Sequence, residues 1–448
     1  MSRPAPVLAS QRWRRYLPIA FVTYSFAYLD RSNYSIAAPG GLKHDLGMAP
    51  AMTGLAAGLF FVGYFFFQVP AARYAARNSV RNLLFWSLLA WGALSSAQGL
   101  VTSGWQLITD RLLLGAAEAT VIPAMLVLLM NWFRQDERGR ANTFLIWGNP
   151  VTVMWMSLVS GYLVQFIGWR WMFIIEGVPA IAWAFAFRAL VTDRPASAGW
   201  LNEPEKQAIE DALREEETRR PALQGGYARA LRSPAVVLLS LQYLLWNFGL
   251  YGFVFWLPTV IKAGTARGIG VTGALTAIPY AAAAIAMLVA ARLSDRSAGS
   301  PRRRGWYIWP PLLVGGVSLY ASSAVAASGF WVSFVLLIVA GAAMYAPQGP
   351  FFAAVPEALD RDAAGGAMGL INSFGGLGGF VGAYIVGALI GSAGTPAAFA
   401  FMTAAVLAAA VLAFVVGRLP RPAPEVPAQP APAHSSAGPR ARRGGVAT

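Results

Sequence analysis

The chain has 448 residues, 56% of them hydrophobic and only 12% charged, with a net charge of +15. That balance lies far outside the usual soluble composition and describes an integral membrane protein. It contains no cysteine, and its two histidines, His44 and His434, stand far apart, which excludes disulfides, thiolate catalysis and a histidine metal centre.

Apolar runs of about the length needed to cross a bilayer, roughly 20 residues, recur near 16–37, 52–72, 82–102, 106–132, 141–165, 170–191, 235–261, 270–291, 306–326, 330–352, 364–390 and 396–417. Twelve transmembrane helices are predicted. The first is expected to be retained, because it is too long for a signal-peptide core, contains Asp30 and Arg31, and has no small-residue cleavage site before them. Arg3, Arg12, Arg14 and Arg15 precede it; Arg73, Arg77 and Arg81 join spans two and three, Arg134, Arg138 and Arg140 spans four and five, and Arg292, Arg296, Arg302, Arg303 and Arg304 spans eight and nine. The opposite connections carry only Lys43, Arg170, Lys262 and Arg267. This asymmetry follows the positive-inside rule and predicts both termini in the cytoplasm. The basic charge therefore reads as topology, and no nucleic-acid partner is expected.

Two carboxylates and two arginines inside the apolar runs stand out: Asp30 and Arg31 in span one, Arg111 and Glu118 in span four. A charge near the bilayer centre costs at least roughly 2.5–3.5 kcal/mol, so such residues face a partner or a hydrated path. Span four enters from the outer face near Gln106; at about 1.5 Å per residue, Arg111 lies roughly 8 Å deep and Glu118 roughly 18 Å. Their spacing of seven puts both on one helix face, with Gly115 between them leaving room for a neighbouring helix or a ligand. Span one runs the other way, which brings Asp30 to a depth close to that of Arg111 and predicts an Asp30–Arg111 ion pair. Asp30 and Arg31 differ by about 100° around the helix, so Arg31 is predicted to face the central cavity. Its planar fork matches a substrate carboxylate bidentately, which lysine cannot do. Glu118 has no basic residue one turn away in its own helix, a setting that suits a proton carrier. The competing reading is a purely structural charge network.

Further candidates for contact with a hydroxyl-rich ligand are Tyr64 in span two, Asn149 in span five, Tyr243, Trp246, Asn247 and Tyr251 in span seven, Tyr345 and Gln348 in span ten, and Asn372 and Ser373 in span eleven. Buried amides also serve as interhelical glue, and aromatics also simply pack. Asn149 and Asn372 rank first, because proline or glycine neighbours favour local opening of the backbone. Gly375, Gly376, Gly378 and Gly379 read as a close-packing or bending segment.

Residues 192–234 form the longest polar connection, with a short surface helix expected through Glu217. They divide an N-terminal six-helix bundle (1–191) from a C-terminal one (235–418), followed by a Pro- and Ala-rich tail (419–448) expected to be disordered and cytoplasmic. Gly115-Ala116-Ala117-Glu118 with Pro123 parallels Gly341-Ala342-Ala343-Met344 with Pro347, which predicts a six-plus-six repeat. Parallel repeats of this kind are the plan of major facilitator transporters, whose site lies at the midplane between the halves. At this offset Glu118 meets Met344 and Arg111 meets Leu337, so charge handling is confined to the N-terminal half.

Several segments together resemble the anion:cation symporter family of the major facilitator superfamily over nearly the whole chain. They are Tyr28-Leu29-Asp30-Arg31-Ser32-Asn33-Tyr34, Gly63-Tyr64-Phe65-Phe66-Phe67-Gln68-Val69-Pro70, Arg111 to Glu118, and Gly148-Asn149-Pro150-Val151-Thr152. Met172-Phe173-Ile174-Ile175-Glu176-Gly177-Val178-Pro179 and Met344-Tyr345-Ala346-Pro347 are similar to the branch with 2-ketogluconate and rhamnonate carriers. The resemblance implies proton-coupled import of a sugar-acid anion across a bacterial inner membrane. It implies Asp30 and Glu118 as protonation sites, Arg31 on the substrate and Arg111 as the switching partner. It also implies a monomer in the lipid bilayer, with a carboxylate substrate, protons as coupling ion and no cofactor.

The superfamily's loop between spans two and three normally carries an aspartate followed by arginine. Here it reads Ala75-Ala76-Arg77 with Ser79 and Arg81, while Asp295-Arg296 keep the pattern between spans eight and nine. A cytoplasmic latch built from Arg77, Arg81, Asp295 and Arg296, resting more on the C-terminal half, is expected. The absence of a phosphate-binding Gly-x-x-x-x-Gly-Lys-Ser/Thr loop and of a catalytic cluster argues against a pump driven by ATP and against an enzyme. A drug-efflux antiporter would share the fold, but Arg31 beside an intramembrane acid favours anionic cargo. A transporter-like sensor would need a signalling module, which the tail does not carry.

Overall fold

In lipid every backbone polar group must be satisfied within the protein, which leaves helices as the only spanning element for apolar runs of this length. The computed structural model describes residues 11–218, 234–296, 301–358 and 361–418, and every predicted span is helical there. Residues 419–448, the predicted tail, and 219–233 of the linker lie outside the described residues.

Span one runs Gln11–Ala37, span two Pro50–Arg77 and span three Val80–Ala97. Span four starts on a capping box, in which Ser103 and Gln106 satisfy each other's backbone N–H groups, and runs Gly104–Glu118 and on through Val121–Trp132. The break at Ala119 and Thr120 has a local cause: Pro123 has no N–H to offer the Ala119 carbonyl. Spans five and six form one helical stretch, Gln135–Leu190, interrupted at Gly168, whose φ of 83° is open to glycine at little cost. In the C-terminal half, span seven is Pro234–Thr265, eight Ile269–Asp295, nine Trp309–Ala324, eleven Arg361–Ser392 and twelve Thr395–Val416. Span ten is Phe330–Tyr345 and Gln348–Ala358, interrupted at Ala346-Pro347, the place that mirrors the break in span four. The linker carries a helix, Glu203–Thr218, tied to the N-terminal half by Arg138, which donates to Glu216 at 2.7 Å.

The halves meet along two glycine seams. A Cβ on Gly54 of span two would lie 2.6 Å from the Ala383 carbonyl of span eleven, and one on Gly161 of span five 2.9 Å from the Gly273 Cα of span eight. Such spacing admits no side chain and lets the helices touch backbone to backbone. Lys262, donating to the Pro39 carbonyl, adds a polar tie across the halves. All three contacts lie toward the face opposite the basic loops. On that face Trp169 also donates to Asp45 at 2.8 Å, and this hydrogen bond holds the Asp45 carboxyl below its ordinary range.

The latch expected between the halves is not assembled. Arg81 donates its Nε to the Arg188 carbonyl within the N-terminal half, and Asp295 lies 4.0 Å from Arg304 within the C-terminal half. Arg77 ends span two and Arg296 follows span eight, each in its own half. The reason is the position of the seams: with the halves packed on the far face, the basic-loop ends are not drawn together. The aspartate missing from the 2–3 loop is replaced from elsewhere in the chain. Asp193 accepts from the Ser79 hydroxyl at 2.6 Å and from the Arg81 backbone N–H at 2.8 Å, capping the N-terminus of span three. Asp193→Ala is therefore expected to cost about 0.5–2 kcal/mol, the range of a lost cap. A lower thermal midpoint of the solubilised protein is the check, and an unchanged midpoint would contradict the capping role.

Candidate functional site

Spans one, two and four bring the four predicted charges together, and all are buried: Asp30 is 1% exposed, Arg31 6%, Arg111 0% and Glu118 0%. Arg31 donates from Nε to Glu118 Oε1 at 2.6 Å, and a terminal nitrogen approaches the same oxygen. Its guanidinium lies 4.7 Å from the Tyr64 ring centre, 4.9 Å from Tyr28 and 5.2 Å from Phe60. Aromatic faces stabilise a desolvated cation without supplying a competing charge. Glu118 Oε2 has no hydrogen-bond partner. Arg111 donates to the Asp30 backbone carbonyl at 3.0 Å, and its guanidinium lies 4.7 Å from the Tyr34 ring centre and 5.2 Å from that of Phe60. The Asp30 carboxylate is held by neutral donors, the Ser95 hydroxyl and the Asn33 amide, the latter at 3.4 Å.

This arrangement corrects three expectations. The Asp30–Arg111 ion pair is replaced by a bond from Arg111 to the Asp30 backbone, because the Asp30 side chain turns toward span three. Arg31 does not present a free fork; it turns toward span four and pairs with Glu118, which gains from span one the basic neighbour its own helix lacks. The space beside Gly115 is not open to ligand. A Cβ there would collide with the Phe60 carbonyl, and one on Gly63 with the Leu112 carbonyl, so spans two and four pack backbone to backbone.

The remaining candidates divide by what holds them. Trp246 donates to the Met344 carbonyl at 3.0 Å, Asn247 to Tyr243 at 2.6 Å and Ser373 to Gly369 at 2.9 Å, so these three are tied to helix backbone. Tyr243 stacks on Phe351 with centroids 5.1 Å apart, and Gly375 packs on Tyr243, in keeping with the close-packing reading of the span-eleven glycines. Tyr345 meets Tyr280 edge-on at 6.0 Å. Gln348 is buried at the start of the second segment of span ten, and Asn372 is half-buried. The backbone is helical through both Asn149-Pro150 and Asn372, so the expected local opening does not occur. Asn149 instead offers a buried side-chain oxygen with no partner, beside Gly148, which packs near Tyr24. Tyr64 and Tyr251 stand near Arg31, and Tyr28 meets Tyr24 edge-on with centroids 5.0 Å apart and lies close to Tyr251 of span seven, in the other half.

Sequence reasoning passed over Asp110, buried beside Arg111 with one oxygen unpartnered, and Glu176, 4% exposed in span six. Both carry the signal that marks Asp30 and Glu118, an acid inside a predicted span. Tyr24, Tyr28 and Tyr280 carry no such signal, since tyrosine is common in apolar helices.

A family model for the Major Facilitator Superfamily matches residues 20–383 and 268–446. A putative tartrate transporter of Agrobacterium vitis is 31% identical over 411 residues, covering 90% of each chain. A quinolone resistance transporter of Acinetobacter baumannii is 30% identical, covering 90% of this chain and 93% of its own. In fold, the crystal structure of a bacterial homolog of the human lysosomal transporter Spinster superposes with a TM-score of 0.72 at 17% identity, covering 92% of this chain and 98% of that one.

Proposed function

This chain belongs to the Major Facilitator Superfamily, and we propose that it is a proton-coupled symporter importing an organic anion of the sugar-acid class, such as 2-ketogluconate or a related hexonate. The observation that carries this reading is the buried Arg31–Glu118 pair. A substrate carboxylate needs the fork that Glu118 occupies. Taking it from an ionised Glu118 would strand a buried carboxylate, a loss of roughly 3–5 kcal/mol for a broken buried pair. A proton on Glu118 removes that loss and frees Arg31 at the same moment. Anion and proton therefore bind together, and by linkage each raises the affinity for the other by the same factor.

In this reading Asp30 is a further protonatable group and Arg111 its alternate partner, since one terminal nitrogen of Arg111 has no hydrogen-bond partner. Asn149, Tyr64 and the Tyr24–Tyr28–Tyr251 set supply hydroxyl and amide contacts. In this reading the protein sits in a bacterial inner membrane with its basic loops and both termini on the cytoplasmic side, which the positive-inside rule supports. The glycine seams then close the outer side, the arrangement of an inward-facing carrier working as a monomer. The likeness to a putative tartrate transporter supports an organic-anion substrate.

The likeness to a quinolone resistance transporter favours a second reading, drug efflux. Proteoliposomes with labelled gluconate, 2-ketogluconate, tartrate and a quinolone separate the two. Accumulation of a sugar acid under an inward proton gradient, abolished by an ionophore, is expected. Uptake indifferent to the gradient overturns symport, and proton-driven expulsion of the quinolone establishes efflux instead.

A further inference from the structure

We propose that Glu176 is a third proton-carrying carboxyl of the N-terminal half and shares one proton with Asp30, with the Asn33 side-chain amide bridging the two. The inference rests on the proton-coupled reading above and adds a site to it. Glu176 lies eight residues beyond Gly168, roughly 12 Å into the membrane at the helical rise. Ser160 of span five donates to its Oε1 at 2.6 Å, and its Oε2 has no partner. Asn33 of span one donates Nδ2 to Asp30 Oδ1 at 3.4 Å and stands beside Glu176 without a hydrogen bond to it, so that the Asn33 Oδ1 and the Glu176 Oε2 are both left without a partner. The same Asp30 Oδ1 also accepts from the Ser95 hydroxyl of span three. The two acids thus neighbour one amide, and each also accepts from a serine hydroxyl. Span six closes on span three beside this group: a Cβ on Gly92 would lie 3.0 Å from the Gly177 carbonyl.

Charge counting leads to the proton. Two guanidiniums face three fully enclosed carboxyls, with Asp110 at the more exposed start of the same helix. Arg31 is committed to Glu118 and Arg111 to the Asp30 carbonyl. Neither neutralises Glu176, and a buried carboxylate with only neutral donors is costly. A protonated Glu176 supplies the one donor this cluster lacks, and the amide has a use for it. An amide offers one acceptor and two donors, so set between an acid and a carboxylate it can accept from the first and donate to the second. Turned end for end, it serves the opposite assignment equally well, because its oxygen and nitrogen occupy similar volumes. Moving the proton breaks one O–H bond at Glu176 and makes one at Asp30, with no change in the atoms of Asn33. The pair then titrates as a unit, and the proton on Asp30 is adjacent to the Arg31–Glu118 exchange.

Infrared difference spectroscopy on the full-length protein in lipid, with pH steps in H2O and D2O and no substrate, tests this. A deuterium-sensitive carboxylic-acid band absent from Glu176→Gln is expected. Asp30→Asn is expected to change the proton affinity reported by that band about tenfold or more, equal to 1.4 kcal/mol, and Asn33→Ala to remove this dependence. An identical acid band in Glu176→Gln, or no response to Asp30→Asn, overturns the proposal. If Glu176→Gln does not fold, Ser160→Ala must shift the band by removing its hydrogen bond, and an unmoved band is equally fatal. The readout is independent of transport. Proton-driven uptake without the band refutes this site alone, whereas the band without proton-driven uptake refutes symport alone.

Discussion

Glu118→Gln is expected to abolish gradient-driven accumulation while leaving exchange of labelled for unlabelled anion across the membrane intact. The amide has the shape and the neutrality of the protonated acid, so Arg31 is free to meet the substrate carboxylate at any pH. What the variant lacks is a proton to release once the anion has left. Binding therefore survives and loses the pH dependence that Glu118 supplies, whereas net uptake reaches only passive equilibration. The buried pair gives this outcome its size: Arg31 donates to Glu118 at 2.6 Å, so on the proposed reading an ionised Glu118 competes with the anion for the fork, and removing that competitor is expected to raise anion affinity at alkaline pH. Counterflow and net uptake measured on the same proteoliposomes check both halves. Normal accumulation by Glu118→Gln would make Glu118 structural and leave coupling to Asp30 and its neighbours.

The fold was almost fully legible, because the bilayer imposes a length and a polarity that sequence displays directly. Even the breaks in spans four and ten have a sequence cause, since Pro123 and Pro350 have no N–H to offer the Ala119 and Ala346 carbonyls. That Asp30, Arg31, Arg111 and Glu118 lie together was legible for the same reason, since charges inside apolar runs gather away from lipid, although Asp110 and Glu176 carry the same signal and were passed over. The pairing within the site was not. Asp30 and Arg31 are neighbours about 100° apart, and which of them faces span four depends on the rotation of span one, set by packing chiefly against spans five, six and seven. Gly115 shows the same limit: spacing locates a gap on the helix, but only the arrival of Phe60 decides that a helix, not a ligand, fills it. The latch residues were identifiable as a pattern, yet whether they meet depends on which face of the carrier is closed. Asp193 was out of reach because its partnership with Ser79 and Arg81 spans 114 and 112 residues.

Arg31→Lys is expected to lower anion affinity at least tenfold, about 1.4 kcal/mol, and nearly as much as Arg31→Ala. The lost element is the planar two-pronged fit, for which an ammonium on a flexible stem is no substitute. The two variants differ in stability instead. Lysine keeps a cation against Glu118, whereas alanine leaves that buried carboxylate without its partner, a loss of roughly 3–5 kcal/mol. Adding Glu118→Gln to Arg31→Ala removes the stranded charge, so the double variant recovers thermal stability but not binding. This non-additivity is the signature of a direct pair. Additive effects on the thermal midpoint would show that Arg31 and Glu118 act independently. Arg111→Lys fails in another way. Its guanidinium grips the Asp30 backbone at 3.0 Å and is flanked by Tyr34, not by the proposed substrate position, so coupling falls more than affinity. Native affinity in a well-folded Arg31→Lys protein would remove the carboxylate clamp from Arg31 and make Arg111 the better candidate.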